Sequence, residues 1–132
     1  MNSKFWHGKR VLVTGGCGFV GRWVCRALAP AEVELHIVDL APSAHLKEKH
    51  AFHKVDLRDL AATGQLIDRI KPASIIHLAG QPGVAASHEN PVGAYEANVL
   101  ATFTVLEACR LHPGVESIVA VSSNHVYGEQ HQ

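Results

Sequence analysis

Near the start of this 132-residue chain an apolar run, a glycine-rich octapeptide and an amphipathic stretch follow one another without a gap, and nothing else in the sequence narrows the possible folds as much. The octapeptide is Thr14-Gly15-Gly16-Cys17-Gly18-Phe19-Val20-Gly21. Arg10-Val11-Leu12-Val13-Thr14 leads into it as a short apolar run, the pattern of a strand buried on both faces. Beyond it Phe19, Val20, Trp23, Val24, Ala27 and Leu28 recur at helical spacing until Pro30 stops the helix. The glycines read as Gly16-x-Gly18-x-x-Gly21 and, offset by one, as Gly15-x-x-Gly18-x-x-Gly21. A plain strand-to-helix turn would use the same residue type; the strand before and the helix after give the pattern its chemical meaning. In that setting the first glycines permit a tight turn, and Gly18 lets backbone approach a pyrophosphate at the helix N-terminus. Free N–H groups and the helix dipole favour an anion there, while Gly21 lets the helix lie close on the strand.

The rest of the chain repeats the alternation. Residues 33–38 read as a second buried strand with Asp39 at its carboxyl end, and residues 41–50 as a polar surface connection. A short strand at 51–55 ends in Asp56. Residues 59–70 carry Leu60, Thr63, Ile67 and Ile70 on one helical face and stop at Lys71-Pro72. Residues 74–79 are again a continuous strand pattern. Asn90-Pro91 is a capping Asn before Pro at a first helical position. It opens a helix over 91–110 with Tyr95, Val99, Thr102, Leu106 and Cys109 on one stripe, either a surface for a second copy or a face turned to the sheet. His112-Pro113-Gly114 breaks that helix, and a fifth strand follows at 117–121. Strands interleaved with helices predict an α/β doubly wound parallel sheet of about five strands, in one domain over residues 1–132.

Composition excludes several classes. Twelve Lys and Arg balance twelve Asp and Glu, so no basic stripe speaks for nucleic acid. No apolar run approaches the roughly 20 residues of a membrane span, and the first residues lack the apolar core of a signal peptide. Cys17, Cys25 and Cys109 have no ligand spacing and are expected as reduced thiols, which places the protein in the cytoplasm. His45, His50 and His53 cluster without the thiolate or carboxylate partners that metal ligation needs, so no metal site is expected. Cys17 lies near a helix N-terminus, which can lower a thiol pKa, but it reads better as a filler at a variable loop position.

Asp39, about twenty residues past the glycines, is placed to accept both hydroxyls of an adenosine ribose and to repel a 2′-phosphate, which favours NAD over NADP. A surface Asp opening a loop is the alternative. Asp56-Leu57 either brings a carboxylate near an adenine amino group or simply opens the next helix.

Taken together, Thr-Gly-Gly-x-Gly-Phe-Val-Gly, Asp39, Asp56-Leu57, His77-Leu78-Ala79-Gly80, Tyr95-x-x-Asn98-Val99 and Ser122-Ser123-x-x-Val126-Tyr127-Gly128 resemble the extended short-chain dehydrogenase/reductase family, the NAD-dependent nucleotide-sugar epimerases and dehydratases. The resemblance runs from about Lys9 to Gly128, and its details look closest to sugar-nucleotide 4,6-dehydratases, particularly CDP-glucose types. It implies a Rossmann-type fold with NAD as cofactor and a nucleotide sugar as partner. Gly15, Gly18, Phe19, Val20 and Gly21 would form the pyrophosphate loop. Asp39 with Leu40 would hold the adenosine ribose, and Asp56 with Leu57 would flank the adenine. Leu78, Ala79 and Gly80 would run along the cofactor, with Asn98 on the long helix beneath it. Ser123 would hydrogen-bond the sugar hydroxyl being oxidised, and the 91–110 helix would pair two copies as a homodimer.

The sequence departs from that family in two respects. The family's Tyr-x-x-x-Lys pair is missing here, because Tyr127 is followed four positions later by His131 and Tyr95 by Val99. The dehydratase Asp-Glu pair is replaced by Asn124-His125, where His125 is either an acid/base near neutral pH or a surface histidine. The fifth strand ends shortly before Gln132, whereas folds of this kind continue, so the chain is expected to be truncated before a C-terminal substrate domain. Three readings follow. The chain is the NAD-binding portion of an epimerase or 4,6-dehydratase, a short NAD-binding module without turnover, or a fragment whose exposed edge strand prevents stable binding.

Overall fold

The computed structural model describes residues 3–44 and 50–128. Its elements run α1 (Ser3–Trp6), β1 (Arg10–Thr14), α2 (Phe19–Leu28), a 3-10 turn (Ala29–Ala31), β2 (Glu34–Asp39), β3 (Ala51–Lys54), α3 (Leu60–Ile70) and β4 (Ser74–His77). They continue with α4 (Val84–Glu89), α5 (Pro91–Tyr95), a π-helical turn (Glu96–Leu100), α6 (Ala101–Leu111), β5 (Ser117–Ala120) and a 3-10 turn (Asn124–Tyr127). The five strands form one parallel sheet in the order β3-β2-β1-β4-β5. The chain moves outward from β1 to β3, then returns past β1 to β4, so β1 and β4 flank the point where the strand order reverses. In such sheets that point opens a crevice at the carboxyl ends of the strands.

Alternation along β1 divides the core. Val11 and Val13 point one way and pack with Leu35 and Ile37 of β2 under Cys25 and Leu28 of α2. Leu12 points the other way and packs with Val38 and Ile75 under Leu66, Ile67 and Ile70 of α3 and Val105 and Ala108 of α6. A strand covered on both faces has no polar side, which is why its sequence reads as a continuous apolar run.

The ends of the elements follow local chemistry. Asp59 caps α3 by accepting from the Ala62 amide at 3.0 Å, and Lys71 closes it in the left-handed conformation (φ 50°) before Pro72. Asn90 caps α5 by accepting from Gly93 N at 3.0 Å, with Pro91 as the first helical residue. β4 stops at His77, two residues before the apolar run ends: the Leu78 amide is shared between the Thr14 carbonyl and hydroxyl, and the Ala79 amide turns to the hydroxyl alone. α1 and α4 are short helices the periodicity did not signal.

The largest correction concerns the helix expected over 91–110. Its backbone passes through the π-helical turn, which shifts the faces of the two α-helical pieces relative to one unbroken period. The residues turned to the core are Ala94, Ala101, Thr104, Val105 and Ala108. Of the expected stripe, Tyr95 (62%), Val99 (48%) and Leu106 (43%) are exposed, and Phe103 joins them. The stripe is thus divided: Tyr95, Val99 and Leu106 face away from the sheet, while Thr102 bonds His77 of β4 and Cys109 packs at the margin of the core. Val105→Ala should cost about 2 to 3 kcal/mol in urea unfolding, whereas Leu106→Ala one residue away should cost less than about 1 kcal/mol. Equal costs would contradict this phase.

Candidate functional site

The carboxyl ends of all five strands bring the expected site residues to one edge of the sheet: Gly15 follows β1, Asp39 ends β2, Asp56 follows β3, Leu78 to Gly80 follow β4 and Ser123 follows β5. The glycine turn is held by backbone bonds, with Gly15 N donating to Val38 O at 2.9 Å and Gly18 N to Gly15 O at 3.0 Å. Gly15 has φ +65°, and a Cβ there would meet the Ala79 nitrogen at 2.7 Å. No other residue type permits β1 to leave the sheet this close to the β4 loop. A Cβ on Gly21 would strike Gly15 O, so α2 starts directly against the turn it caps. Gly18 supplies the cap position with no side chain to satisfy the first-turn amides, which is the arrangement that receives an anion at a helix N-terminus.

Asp39 is tied to this turn. One carboxylate oxygen accepts from Cys17 N at 3.1 Å, the other from Leu40 N at 2.8 Å. A carboxylate offers about four acceptor positions, so two remain for hydroxyl donors. The bond to Cys17 N joins the end of β2 to the turn after β1, so Asp39 is tied to more than its own loop. The same carboxylate acts on the Cys17 thiol, which burial first and the Asp39 charge second push above the ordinary range. The helix N-terminus does not win, and Cys17 is no activated nucleophile. Cys25, more deeply buried, is pushed up to about 11.

Other expected residues are placed differently. Both oxygens of Asp56 accept from Arg58, whose guanidinium also reaches Glu96 at 2.6 Å, so this carboxylate is held below its usual range and engaged in a surface bridge. The Leu57 residue is 7% exposed and belongs to the core. Phe19 (73%), Val20 (54%) and Leu40 (60%) are exposed at the site's rim, and the Arg22 guanidinium lies 4.9 Å from the Phe19 ring centre. Gly80 packs against Asn98, whose side chain accepts from Gln81 N at 2.8 Å and donates to Gln81 O at 3.3 Å. Ser123 O accepts from Val126 N at 3.3 Å in the turn after β5. The His125 side chain and His45 lie outside the described residues. His53 belongs to β3, where its ring bonds that of His36 at 3.0 Å. Among the described residues no group of three side chains could hold a metal ion, and no helix is long and apolar enough to cross a membrane.

Sequence reasoning assigned no role to three residues that join these parts. Thr14 Oγ1 lies 2.7 Å from Nδ1 of the buried His77 ring, and His77 Nε2 lies 3.0 Å from Thr102 Oγ1. A histidine in an otherwise apolar strand run was the available signal, since a buried ring must find partners on both nitrogens.

A parallel sheet with an uncapped glycine turn at its reversal point and an acceptor carboxylate on the next strand defines a dinucleotide-binding domain of the doubly wound class. A family model, "NAD dependent epimerase/dehydratase family", matches residues 11–132, and the chain belongs to that family. It is similar to CDP-glucose 4,6-dehydratase of Salmonella typhimurium, 32% identical over 96% of this chain and 38% of the relative. Among solved structures it is similar to UDP-glucose 4-epimerase of Thermus thermophilus in complex with NAD (37% identity, TM-score 0.76, covering 83% of this chain and 36% of that one). It is also similar to the Thermotoga maritima UDP-glucose 4-epimerase with UDP-glucose (26% identity, TM-score 0.85, covering 93% and 41%). The chain thus spans under half the length of these relatives.

Burial holds His77 below the ordinary imidazole range. Burial, then the His36 and Arg69 neighbours, does the same for His53. Both rings therefore take a proton more readily in the unfolded chain. Their contribution to stability is fully present above the ordinary value of 6.5 and is lost as pH falls through the lowered folded values. The urea midpoint should fall between about pH 7.5 and about pH 5, and His77→Gln should flatten part of that slope. A midpoint that rises on acidification would contradict this assignment.

Proposed function

We propose that this chain is the NAD-binding portion, residues 1–132, of a nucleotide-sugar epimerase or 4,6-dehydratase, acting on its NDP-sugar through transient oxidation at the sugar C4. The observation that carries the cofactor reading is Asp39: a carboxylate tied to the glycine turn, with two acceptor positions left for ribose hydroxyls and a charge that repels a 2′-phosphate. Gly15, Gly18 and Gly21 with the first amides of α2 would take the pyrophosphate, and Phe19 and Val20 would lie along it. Leu40, Asp56 and Leu57 would border the adenosine, while Leu78, Ala79, Gly80 and Asn98 would line the cofactor's other side. Bound NAD supplies a hydride acceptor. Ser123 would orient the sugar hydroxyl that is oxidised.

A positioned base contributes about 10²- to 10⁴-fold to such a reaction. The Tyr-x-x-x-Lys pair that provides it in this family is absent from these 132 residues. The chain by itself is therefore expected to bind cofactor without turning over nucleotide sugar, which is also the behaviour of a non-catalytic module. The relatives of this portion include both a 4,6-dehydratase and 4-epimerases, so either reaction is proposed for the whole protein. Three free cysteines fit a reducing compartment such as the cytoplasm.

We also propose that a second copy of the chain covers the exposed apolar face of Tyr95, Val99, Phe103 and Leu106. Phe103→Glu should abolish a dimer seen by sedimentation, and a monomeric parent would refute that pairing. In calorimetric titration Asp39→Ala should weaken NAD binding by about 10- to 100-fold, the value of charge-assisted bonds to two hydroxyls. Undiminished affinity in that variant would overturn the cofactor reading.

A further inference from the structure

The segment Leu78 to Gln81 is a strap along the crevice, and it is anchored at both ends by one continuous set of hydrogen bonds. At its start the Leu78 and Ala79 amides donate to Thr14 Oγ1, each at 3.1 Å. At its end Gln81 is clamped by the Asn98 side chain. The two anchors are joined behind the strap through His77 and Thr102.

Every proton in that junction is assigned by the chemistry of its partners. The Ala79 amide donates to Thr14 Oγ1 and the Leu78 amide is shared between that oxygen and the Thr14 carbonyl at 3.2 Å, which leaves the Thr14 hydrogen for His77 Nδ1. Nδ1 is then an acceptor, and the ring carries its proton on Nε2. Nε2–H donates to Thr102 Oγ1, and the Thr102 hydroxyl in turn donates to the Asn98 carbonyl at 2.7 Å. That carbonyl lies in the π-helical turn before α6. A protonated ring would turn a second donor on a Thr14 oxygen that already accepts from Ala79 and shares the Leu78 amide. The opposite tautomer would leave the contact with Thr102 without a donor, since the Thr102 hydrogen is on the Asn98 carbonyl. His77 is 2% exposed, so water cannot repair either fault.

We infer that His77 and Thr102 are positioning residues for the cofactor: a neutral imidazole, fixed with its proton on Nε2, closes a directional ring of hydrogen bonds that holds the Leu78–Gln81 strap in the shape NAD meets. Neither side chain need touch the cofactor. Their effect is to remove the ordering cost the strap would otherwise pay on binding. The inference rests on the NAD reading given above.

The test replaces the far member of the ring. Thr102→Val keeps the shape and removes the hydroxyl, while Thr102→Ser keeps the hydroxyl. In calorimetric titration well below the unfolding temperature, Thr102→Val should bind NAD about five- to tenfold more weakly, and Thr102→Ser should stay within about twofold of the parent chain. In parallel, ring nitrogen shifts of His77 at neutral pH should report a bare Nδ1 and a protonated Nε2. Parental affinity in Thr102→Val, even with a lowered melting temperature, assigns a purely structural role and overturns the inference. A protonated Nδ1 overturns it as well, and decides the matter alone if Thr102→Val does not fold. A parent chain that binds no NAD ends the NAD reading and this inference together, whereas a binding parent with an equally binding Thr102→Val ends only the latter.

Discussion

The Thr14 hydroxyl receives two backbone amides from the loop after β4 and gives its own hydrogen to the buried His77 ring, so the central strand ends locked to its neighbour at the point where the strand order reverses. That lock fixes the distance between the glycine turn and the β4 loop, and Gly15 is the residue that makes the distance possible. The position of α2 against the turn, the bond from Cys17 to Asp39 and the line of Leu78 to Gly80 all follow from it. A buried polar junction of this kind stabilises only when every member is paired, and here each donor reaches an acceptor. Its position under the crevice makes the same bonds part of the floor on which a dinucleotide would lie.

Packing supports this junction from both faces of the sheet. α2 covers Val11, Val13 and Ile37, while α3 and α6 cover Leu12, Val38 and Ile75. The helices therefore hold the strand ends in register without entering the crevice. The site is left to be built from loops, where backbone amides and a few acidic or amide side chains can face a ligand. The cavity of about 560 Å³ between α2 and the end of β2, lined by Gly16, Cys17, Arg22, Trp23, Arg26 and His50 among others, shares the glycine turn with the site but touches neither the β4 loop nor Asn98.

Much of this was legible in the residues. Continuous apolar runs located β1, β2 and β4, because burial on both faces leaves no other pattern. The edge strands β3 and β5 were read from shorter mixed runs, and the alternation with helices specified a parallel sheet. The glycine spacing and Asp39 located the crevice, since few residue types can serve at a left-handed turn or accept from an incoming backbone amide. What was not legible depended on contacts between distant segments. The π-helical turn at Glu96–Leu100 moved Tyr95, Val99 and Leu106 to the surface, and no local residue pattern marks such a turn. Asp56 pairs with Arg58, which also reaches Glu96, a bridge made by the approach of the π-helical turn to the β3 end. The roles of Thr14, His77 and Thr102 were hidden for the same reason: each residue is ordinary alone and becomes specific only when β1, β4 and α6 meet.

The account holds that the glycine turn, Asp39 and the β4 loop form a single surface for NAD, fastened beneath by the Thr14–His77 junction. The most direct measurement is an amide map of the chain by nuclear magnetic resonance as NAD is added. The account requires the largest shifts at Gly15 to Gly21, at Asp39 and Leu40, and at Leu78 to Gln81, moving together with one affinity. Shifts confined to the cavity beside Trp23 and Arg26, or a glycine turn that responds while the β4 loop does not, would contradict it.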